Sequence, residues 1–187
     1  MRKLILFLAL LMAPAYAESK KNIKLKKATF AAGCFWGVEE FFRKIPGVEK
    51  TQVGYTGGKT AHPHYDDMRG GKTGHAESVE IEFDPQKVSY EKLLDQFFKI
   101  HDPTTLNRQG ADIGNQYRSA IFYHDGAQEQ AARDFIEKVK KSHAWKGEIE
   151  TTLNPAQKFW PAEEEHQKYL IKNPNGYDNH KLREISF

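Results

Sequence analysis

The chain has 187 residues, of which 39% are hydrophobic, 12% aromatic and 28% charged, and this composition excludes disordered, collagen-like and disulfide-rich proteins. The formal net charge of +3 comes from the basic residues of the first 27 positions, because residues 28–187 hold 21 basic and 24 acidic residues. This mildly acidic remainder gives no indication of nucleic-acid binding. The single cysteine, Cys34, excludes an internal disulfide, so stability must come from a hydrophobic core.

The first 17 residues have the pattern of an export signal. A basic start precedes an apolar run over 4–13, and Ala15-Tyr16-Ala17 forms a small-x-small motif that precedes a cleavage site. The apolar run is too short to span a bilayer as a helix. We therefore expect a signal peptide over 1–17, cleavage after Ala17, and a protein exported to a bacterial periplasm or secreted.

Hydrophobic periodicity predicts a Lys-rich linker over 18–27 and then one domain over 28–187. Strands are predicted over 28–32, 48–55, 78–83, 118–123 and 149–153. Helices are predicted over 38–45, after the N-cap Ser89, and over 127–143 and 162–172. Two long segments, 56–74 and 101–116, are predicted as loops, and loops of this length usually carry function. The order βαββαβαβα predicts an α/β (α+β) domain of the ferredoxin-like kind, a two-layer sandwich with helices packed on a mixed sheet.

Cys34 is the first candidate for chemistry. It lies between an apolar strand and a helix, where unpaired N–H groups and the helix dipole favour a thiolate. Lone cysteines are more often buried and inert, but an unpaired thiol in an exported protein is exposed to oxidation. We therefore predict a reactive thiol, with Gly33 and Gly37 allowing a substrate to approach the backbone.

The segment Gly33-Cys34-Phe35-Trp36-Gly37 resembles the signature of the A-type peptide methionine sulfoxide reductases. Further blocks follow in the order typical of that family: Gly54-Tyr55-Thr56-Gly57-Gly58, Tyr65, Gly74-His75-Ala76-Glu77, His101-Asp102-Pro103, Arg108-Gln109-Gly110-Ala111-Asp112, Gln116-Tyr117-Arg118-Ser119-Ala120 and Glu165-His166-Gln167-Lys168-Tyr169-Leu170. The resemblance implies that the thiolate of Cys34 attacks the sulfoxide sulfur and is left as a sulfenic acid.

The alternation of residues along its strand makes Glu77 a candidate general acid, independently of the family resemblance. Strand alternation places it on the side of Val79, Ile81 and Phe83 rather than with the exposed glutamates of the same strand. A carboxyl group on an apolar face has a raised pKa and stays protonated near neutral pH. Strand parity alone also allows a carboxylate that bends into water. The family resemblance favours the catalytic interpretation.

The remaining site residues are implied by the resemblance alone. Tyr65 and Tyr117 would donate hydrogen bonds to the sulfoxide oxygen, which gains charge as the sulfur is attacked. Asp112 would help to order the site. Phe35 and Trp36 would hold the S-methyl group of the substrate.

The tail departs from many members of this family. They carry recycling cysteines after a Gly-Tyr pair, whereas Asp178 follows Gly176-Tyr177 here and no cysteine occurs as far as Phe187. We expect no metal or organic cofactor, and regeneration by an external thiol from a thioredoxin-like protein or from glutathione or glutaredoxin. We also expect a monomer that does not span a membrane and that acts on free or protein-bound methionine sulfoxide.

Two other classes of function are compatible with the residues. A cysteine hydrolase would pair Cys34 with His75, His101 or His166, since such partners are adjacent only in space. A non-catalytic periplasmic metal-binding module would use a group of loop residues, namely His62, His64, Asp66 and His75.

Overall fold

The computed structural model describes residues 24–187, so the predicted export signal and most of the linker lie outside the described residues. The strands are β1 (Lys26–Ala32), β2 (Val48–Thr56), β3 (Ala76–Phe83), β4 (Arg108–Gln109), β5 (Asp112–Ile113), β6 (Ser119–Tyr123), β7 (Thr152–Pro155) and β8 (Trp160–Pro161). The α-helices are α1 (Phe35–Phe42), α2 (Tyr65–Met68), α3 (Tyr90–Ile100), α4 (Gly126–Ser142) and α5 (Tyr169–Lys172). Within 24–187, none of the helices has the length and apolar character needed to cross a bilayer.

Six strands form one mixed sheet in the order β7-β6-β1-β3-β2-β8. Its neighbours pair antiparallel except for the parallel pair β6 and β7. The four central strands, with α1 and α3 as their crossovers, reproduce the predicted ferredoxin-like arrangement. The predicted α/β class is therefore confirmed.

Aromatic residues join the sheet to its helices. The ring of Phe30 on β1 stacks on Phe42 of α1 at 5.3 Å and on Phe97 of α3 at 5.2 Å between centroids. Phe98 of α3 in turn stacks on Phe135 of α4 at 5.9 Å. Since Phe30 contacts both crossover helices, α1 and α3 cover the same face of the sheet. Truncation of such a buried Phe costs about 3–5 kcal/mol of folding stability.

Several predicted boundaries were wrong. Helix α1 begins at Phe35 rather than at residue 38, and β1 includes Lys26 and Lys27, which were assigned to the linker. The predicted loops contain α2 and the β4–β5 hairpin, and β7 begins three residues later than expected. The edge strand β8 was not predicted, because a two-residue strand has no periodicity.

The predicted helix over 162–172 is broken into a 3₁₀ turn over Glu164–His166 and the short α5. Lys168 lies between them with a left-handed backbone, φ 51°. Its N–H donates to Oε2 of the buried Glu39 at 2.6 Å, and Gln167 hydrogen-bonds both the N–H and the carbonyl of Val53 at 2.9 Å. Tertiary hydrogen bonds to α1 and β2 thus replace the continuous helix.

Candidate active site

The candidate residues lie where strand ends meet at one edge of the sheet. Antiparallel pairing places Ala32, the last residue of β1, opposite Ser119 at the start of β6, and Thr56 at the end of β2 opposite Ala76 at the start of β3. Cys34 follows β1, Glu77 is the second residue of β3 and Tyr117 precedes β6. The topology therefore brings together three side chains that are far apart in the sequence.

Cys34 is the N-cap residue of α1 and is only 5% exposed. Burial raises the pKa of its thiol well above the usual value, and the charge of Glu77 raises it further, whereas a hydrogen bond from the N–H of Trp36 lowers it. Interaction with a helix terminus is worth about 0.3–1 kcal/mol, while desolvation of a buried ion costs several kcal/mol. Burial therefore outweighs the helix terminus, and the pKa of the Cys34 thiol is raised where the position at the start of a helix had indicated a lowered one.

Glu77 is 2% exposed and shares its buried side of β3 with Val79, Ile81 and Phe83, as strand parity predicted. Burial raises the pKa of its carboxyl group to about 8, against the effect of the hydrogen bond from the N–H of Phe35, and the charge of Asp112 adds to the rise. The carboxyl group is consequently protonated at neutral pH. Such a group can donate a proton inside a desolvated site.

Tyr65 and Tyr117 are half-buried close to this carboxyl group. Burial raises the pKa of Tyr65 to about 12, with further contributions from Glu77 and Cys34, and burial followed by Glu77 also raises the pKa of Tyr117. Both phenols therefore remain protonated donors over the whole physiological range. Neither hydroxyl is hydrogen-bonded to another residue of the described segment 24–187.

Phe35 and Trp36 contribute the apolar wall of the site. Phe35 is fully buried, and its ring centroid lies 6.3 Å from that of Tyr65. The Trp36 ring stacks on Tyr169 at 3.8 Å and faces Tyr65 at 6.2 Å. Both residues of the sequence motif thus pack beside a predicted oxygen-binding tyrosine.

His166 and Glu163 hold the aromatic residues of this wall in place through hydrogen bonds. Nε1 of Trp36 donates to Nδ1 of His166 at 3.2 Å, and the imidazole ring lies 4.2 Å from the Tyr65 ring. Glu163 accepts from the Tyr55 hydroxyl and from the N–H of Tyr65, both at 3.0 Å. The sequence analysis assigned no role to Glu163, because nothing in its local pattern distinguishes it from a solvated glutamate.

Asp112 contacts the C-terminal tail. Its carboxylate accepts from the Tyr177 hydroxyl at 3.0 Å and from Nδ2 of Asn179 at 2.9 Å. Asn179 also donates to the carbonyl of Gln109 at 3.0 Å, which lies opposite Asp112 in the β4–β5 hairpin. Asp112 therefore acts on Glu77 through its charge, while the tail holds it in place.

The same tail covers the two glycines that flank the cysteine motif. A methyl group built on Gly33 would lie 2.6 Å from Cγ of Gln109 and 3.2 Å from Nε2 of His180, and one on Gly37 would overlap the side chains of Asp178 and His180. The expectation that these glycines allow a substrate to approach was therefore wrong. Gly33 allows the side chain of Gln109 in the β4–β5 hairpin to approach, and Gly37 allows the C-terminal segment to approach.

The three histidines considered as partners for a hydrolytic cysteine bind elsewhere. His75 accepts from the N–H of Gly58 and donates to the carbonyl of Thr60. His101 is bonded to Phe97 and Ser119, and burial lowers its pKa to about 3, while Nδ1 of His166 accepts from Trp36. No hydrogen bond within residues 24–187 joins Cys34 to a histidine, so the arrangement does not favour a hydrolase.

The loop residues proposed as metal ligands do not converge. Across the described part of the chain, no three His, Cys, Asp or Glu side chains come close enough to hold a metal ion. His64 instead contacts Glu163 at 3.2 Å, and the ring of His62 packs on Trp160 at 4.4 Å.

Comparison with known proteins decides between the remaining interpretations. The family described as peptide methionine sulfoxide reductase matches residues 26–186. The chain belongs to this family. It is 55% identical over 151 residues to peptide methionine sulfoxide reductase MsrA of Methanothermobacter thermautotrophicus, covering 81% of this chain and 89% of that protein. The resemblance in the sequence motifs is thus confirmed.

Solved structures agree with this assignment. Mxr1 from Saccharomyces cerevisiae in reduced form superposes with a TM-score of 0.81 at 38% identity, covering 88% of this chain and 98% of the yeast chain. The same yeast protein in complex with Trx2 gives a TM-score of 0.59 at 26% identity, covering 89% and 97% of the two chains. The protein is therefore an oxidoreductase that reduces methionine sulfoxide, and its family uses thiol reductants in place of a prosthetic cofactor.

Proposed function

We propose that this chain reduces the S epimer of methionine sulfoxide, free or within oxidised proteins, through a sulfenic acid on Cys34. The observation that supports this most directly is the pairing of a buried thiol with a carboxyl group protonated at neutral pH. The N–H of Phe35, the residue after the cysteine, donates to Glu77 at 3.1 Å. The backbone next to the nucleophile therefore holds the carboxyl group of the proposed acid.

Electrons and protons balance within the site. The sulfur of Cys34 attacks the sulfoxide sulfur, the S–O bond breaks, and the oxygen is transferred to Cys34. Methionine sulfur gains two electrons and the cysteine sulfur loses two, which gives the sulfenic acid. Glu77 gives its proton to the oxygen, and the proton released from the thiol restores Glu77.

Tyr65 and Tyr117 supply fixed donors for that oxygen as its charge develops. Their unengaged hydroxyl groups and raised pKa values suit this role. Phe35 and Trp36 receive the S-methyl group, because an aromatic surface held by His166 and Tyr169 offers an apolar contact of fixed shape. Asp112 orders the hairpin beside them.

Regeneration requires an external thiol, since Cys34 is the only cysteine of the chain. A thiol attacks the sulfenic acid and forms a mixed disulfide, which a second thiol then opens. The complex of the yeast relative with Trx2 supports a thioredoxin-like donor. Glutathione with a glutaredoxin is the other candidate class.

We also propose that the enzyme acts after export, in a periplasm or outside the cell, with its signal cleaved after Ala17. The support is the basic, apolar and small-residue order of residues 1–17. N-terminal sequencing of the protein from the exported fraction should begin at Glu18. Recovery of intact Met1 in the mature protein would contradict export by this route.

A turnover assay with defined epimers tests the activity. A peptide with a single methionine S-sulfoxide is incubated with the protein and a dithiol, and methionine is measured by chromatography. The matched R-sulfoxide peptide and the Cys34→Ser variant serve as controls. We expect turnover with the S epimer only, and equal rates with both epimers would contradict the assignment.

A further inference from the structure

A cavity of about 430 Å³ adjoins the candidate active site. Two of its lining residues, Tyr65 and His166, also belong to that site, and their ring centroids lie 4.2 Å apart. The other four come from the start of α2 and from the 3₁₀ turn over Glu164–His166, namely His64, Asp66, Glu163 and Glu165. A substrate that contacts Tyr65 therefore has this acidic cavity as its neighbour.

The lining of the acidic cavity carries negative charge. Three carboxyl groups line it, and no lysine or arginine of residues 24–187 does. Partial burial acts to raise the pKa of Glu163, but hydrogen bonds, including that from the N–H of Tyr65, lower it below the usual value. Asp66 lies 3.6 Å from Arg69, with both side chains largely exposed, and such exposed pairs are weak. The charge of the cavity is therefore only partly compensated by the protein.

Glu165 is the least engaged of the three carboxyl groups. Its neighbour in the 3₁₀ turn, Glu164, pairs with Lys172 at 3.1 Å, and Glu163 contacts His64 at 3.2 Å. Within residues 24–187, Glu165 has no ion-pair partner. It can therefore accept a cation from outside the protein without breaking an existing contact.

His166 contributes an open hydrogen-bond donor to the same cavity. The residue is only 8% exposed. Nε1 of Trp36 can only donate, so Nδ1 of His166 accepts it at 3.2 Å and the ring hydrogen lies on Nε2. Burial lowers the pKa of the ring, which keeps it neutral at neutral pH. This N–H has no partner within residues 24–187, and a buried donor without a partner is costly unless a ligand or solvent satisfies it.

We propose that the acidic cavity is a subsite for a basic side chain, lysine or arginine, of a residue next to methionine sulfoxide in a polypeptide substrate. This inference rests on the proposed function and narrows its substrate class. Consecutive Cα atoms of a peptide are about 3.8 Å apart. When the sulfoxide oxygen contacts Tyr65, the adjacent residue therefore has its side chain within reach of a cavity that Tyr65 itself lines.

A polypeptide fits the cavity better than a free cation does. The carboxyl groups do not converge on a metal ion, because no three His, Cys, Asp or Glu side chains of residues 24–187 come close enough to hold one. A free amine would depend on exposed ion pairs alone, which are weak. On a peptide that is already bound through its sulfoxide, the same contact becomes intramolecular and benefits from a high effective concentration.

The test compares three peptides with lysine, glutamine or glutamate next to a single methionine S-sulfoxide, the variable residue standing either before or after it. The measured quantity is kcat/KM for the peptide in excess dithiol. Since the thiol acts only after the methionine peptide has left, kcat/KM reports the reduction step alone. At low ionic strength we expect lysine to exceed glutamate by at least about threefold at one of the two positions, and we expect added salt to shrink the difference.

Amide variants locate the effect. Asp66→Asn and Glu165→Gln each remove one carboxylate from the cavity, and the double variant should lower the lysine-to-glutamate ratio to about half of the wild-type ratio or less. Glu164→Gln is the matched control, because Glu164 belongs to the same 3₁₀ turn but pairs with Lys172 and does not line the cavity. It should keep the wild-type ratio. A ratio of two peptides on one protein is unaffected by its active fraction.

Equal kcat/KM for the three peptides at both positions would overturn the inference. A wild-type ratio in the double variant would overturn it too, as would an equal loss in Glu164→Gln, which would indicate a general effect of charge. Should the double variant fail to fold, the two single variants, each expected to lower the ratio in part, give the same decision. Failure of this inference leaves all the peptides reduced with one efficiency, whereas failure of the proposed function leaves none of them reduced.

Discussion

The N–H of Phe35 donates a hydrogen bond to Oε2 of Glu77 at 3.1 Å. The residue that begins the nucleophile's helix thus orients the proposed proton donor. Since this bond engages one carboxyl oxygen, the other is left to carry the acidic proton. Movement of α1 would therefore disturb the thiol and the acid together.

Replacement of the acid tests its role in the chemical step. Glu77→Gln keeps a hydrogen-bond donor but cannot transfer a proton, so sulfenic acid formation should slow by roughly 10² to 10⁴, about 3–5 kcal/mol of barrier. The measurement is a single turnover, since regeneration by thiol can hide the effect in steady state. Formation of sulfenic acid at the wild-type rate would remove Glu77 from the mechanism.

The protonation of Glu77 can be observed directly. Because burial raises its pKa to about 8, the group is protonated below that pH and ionised above it. Difference infrared spectra of Glu77→Gln against wild type should show a protonated carboxyl band at pH 7 that disappears as the pH rises through about 8. Loss of the band between pH 4 and 5 would show an ordinary carboxylate instead.

The resting thiol should be slow to alkylate. Burial and the charge of Glu77 raise the pKa of Cys34, so its reaction with iodoacetamide should reach half its limiting rate above the free-thiol value of roughly 8.5. Glu77→Gln removes a negative charge and should shift this midpoint to lower pH. Cys34→Ser, which lacks the only thiol, should show no labelling.

The two tyrosines should contribute less than the acid. Tyr65→Phe and Tyr117→Phe each remove one donor of the group, and each should slow single turnover by about tenfold or more, with a larger loss in the double variant. Tyr123→Phe, on the far end of β6, is the matched control. A double variant with wild-type rate would show that the oxygen is bound elsewhere.

Without reductant, each enzyme should consume one molecule of substrate and retain a sulfenic acid on Cys34. Addition of a monothiol should give a mixed disulfide of one thiol per chain, detected by mass spectrometry. Because Cys34 is buried, two copies of the protein do not readily bring their cysteine sulfur atoms to bonding distance. A disulfide-linked dimer as the main product would contradict this expectation.

Local rules predicted much of the fold. Ser89 caps α3 by accepting from the N–H of Lys92 at 3.1 Å, as its residue type indicated. Alternation alone placed Glu77 on the buried side of β3. These features depend on residues within one element, where periodicity and capping chemistry dominate.

The tertiary part of the site was not predictable in the same way. Glu163 bonds Tyr55 across 108 positions of sequence, and His180 bonds Ala32 across 148. The rise in the pKa of Cys34 was not predicted either. A helix terminus can be recognised in a sequence, whereas the degree of burial of a side chain cannot. Roles for Tyr65, Tyr117 and Asp112 came from family resemblance, since none has a distinctive local pattern.

The direction of β1 determines where anything attached to the domain emerges. Lys26 pairs with Phe83 at one end of the sheet, while Cys34 follows the other end, so seven residues of strand separate them, roughly 20 Å at about 3.3 Å per residue. A tag, tether or surface joined ahead of Lys26 is therefore attached at the opposite pole from the thiol. Immobilisation through the N-terminus should leave the end of the sheet that carries Cys34 facing solution. Substrates as large as whole oxidised proteins can then reach it.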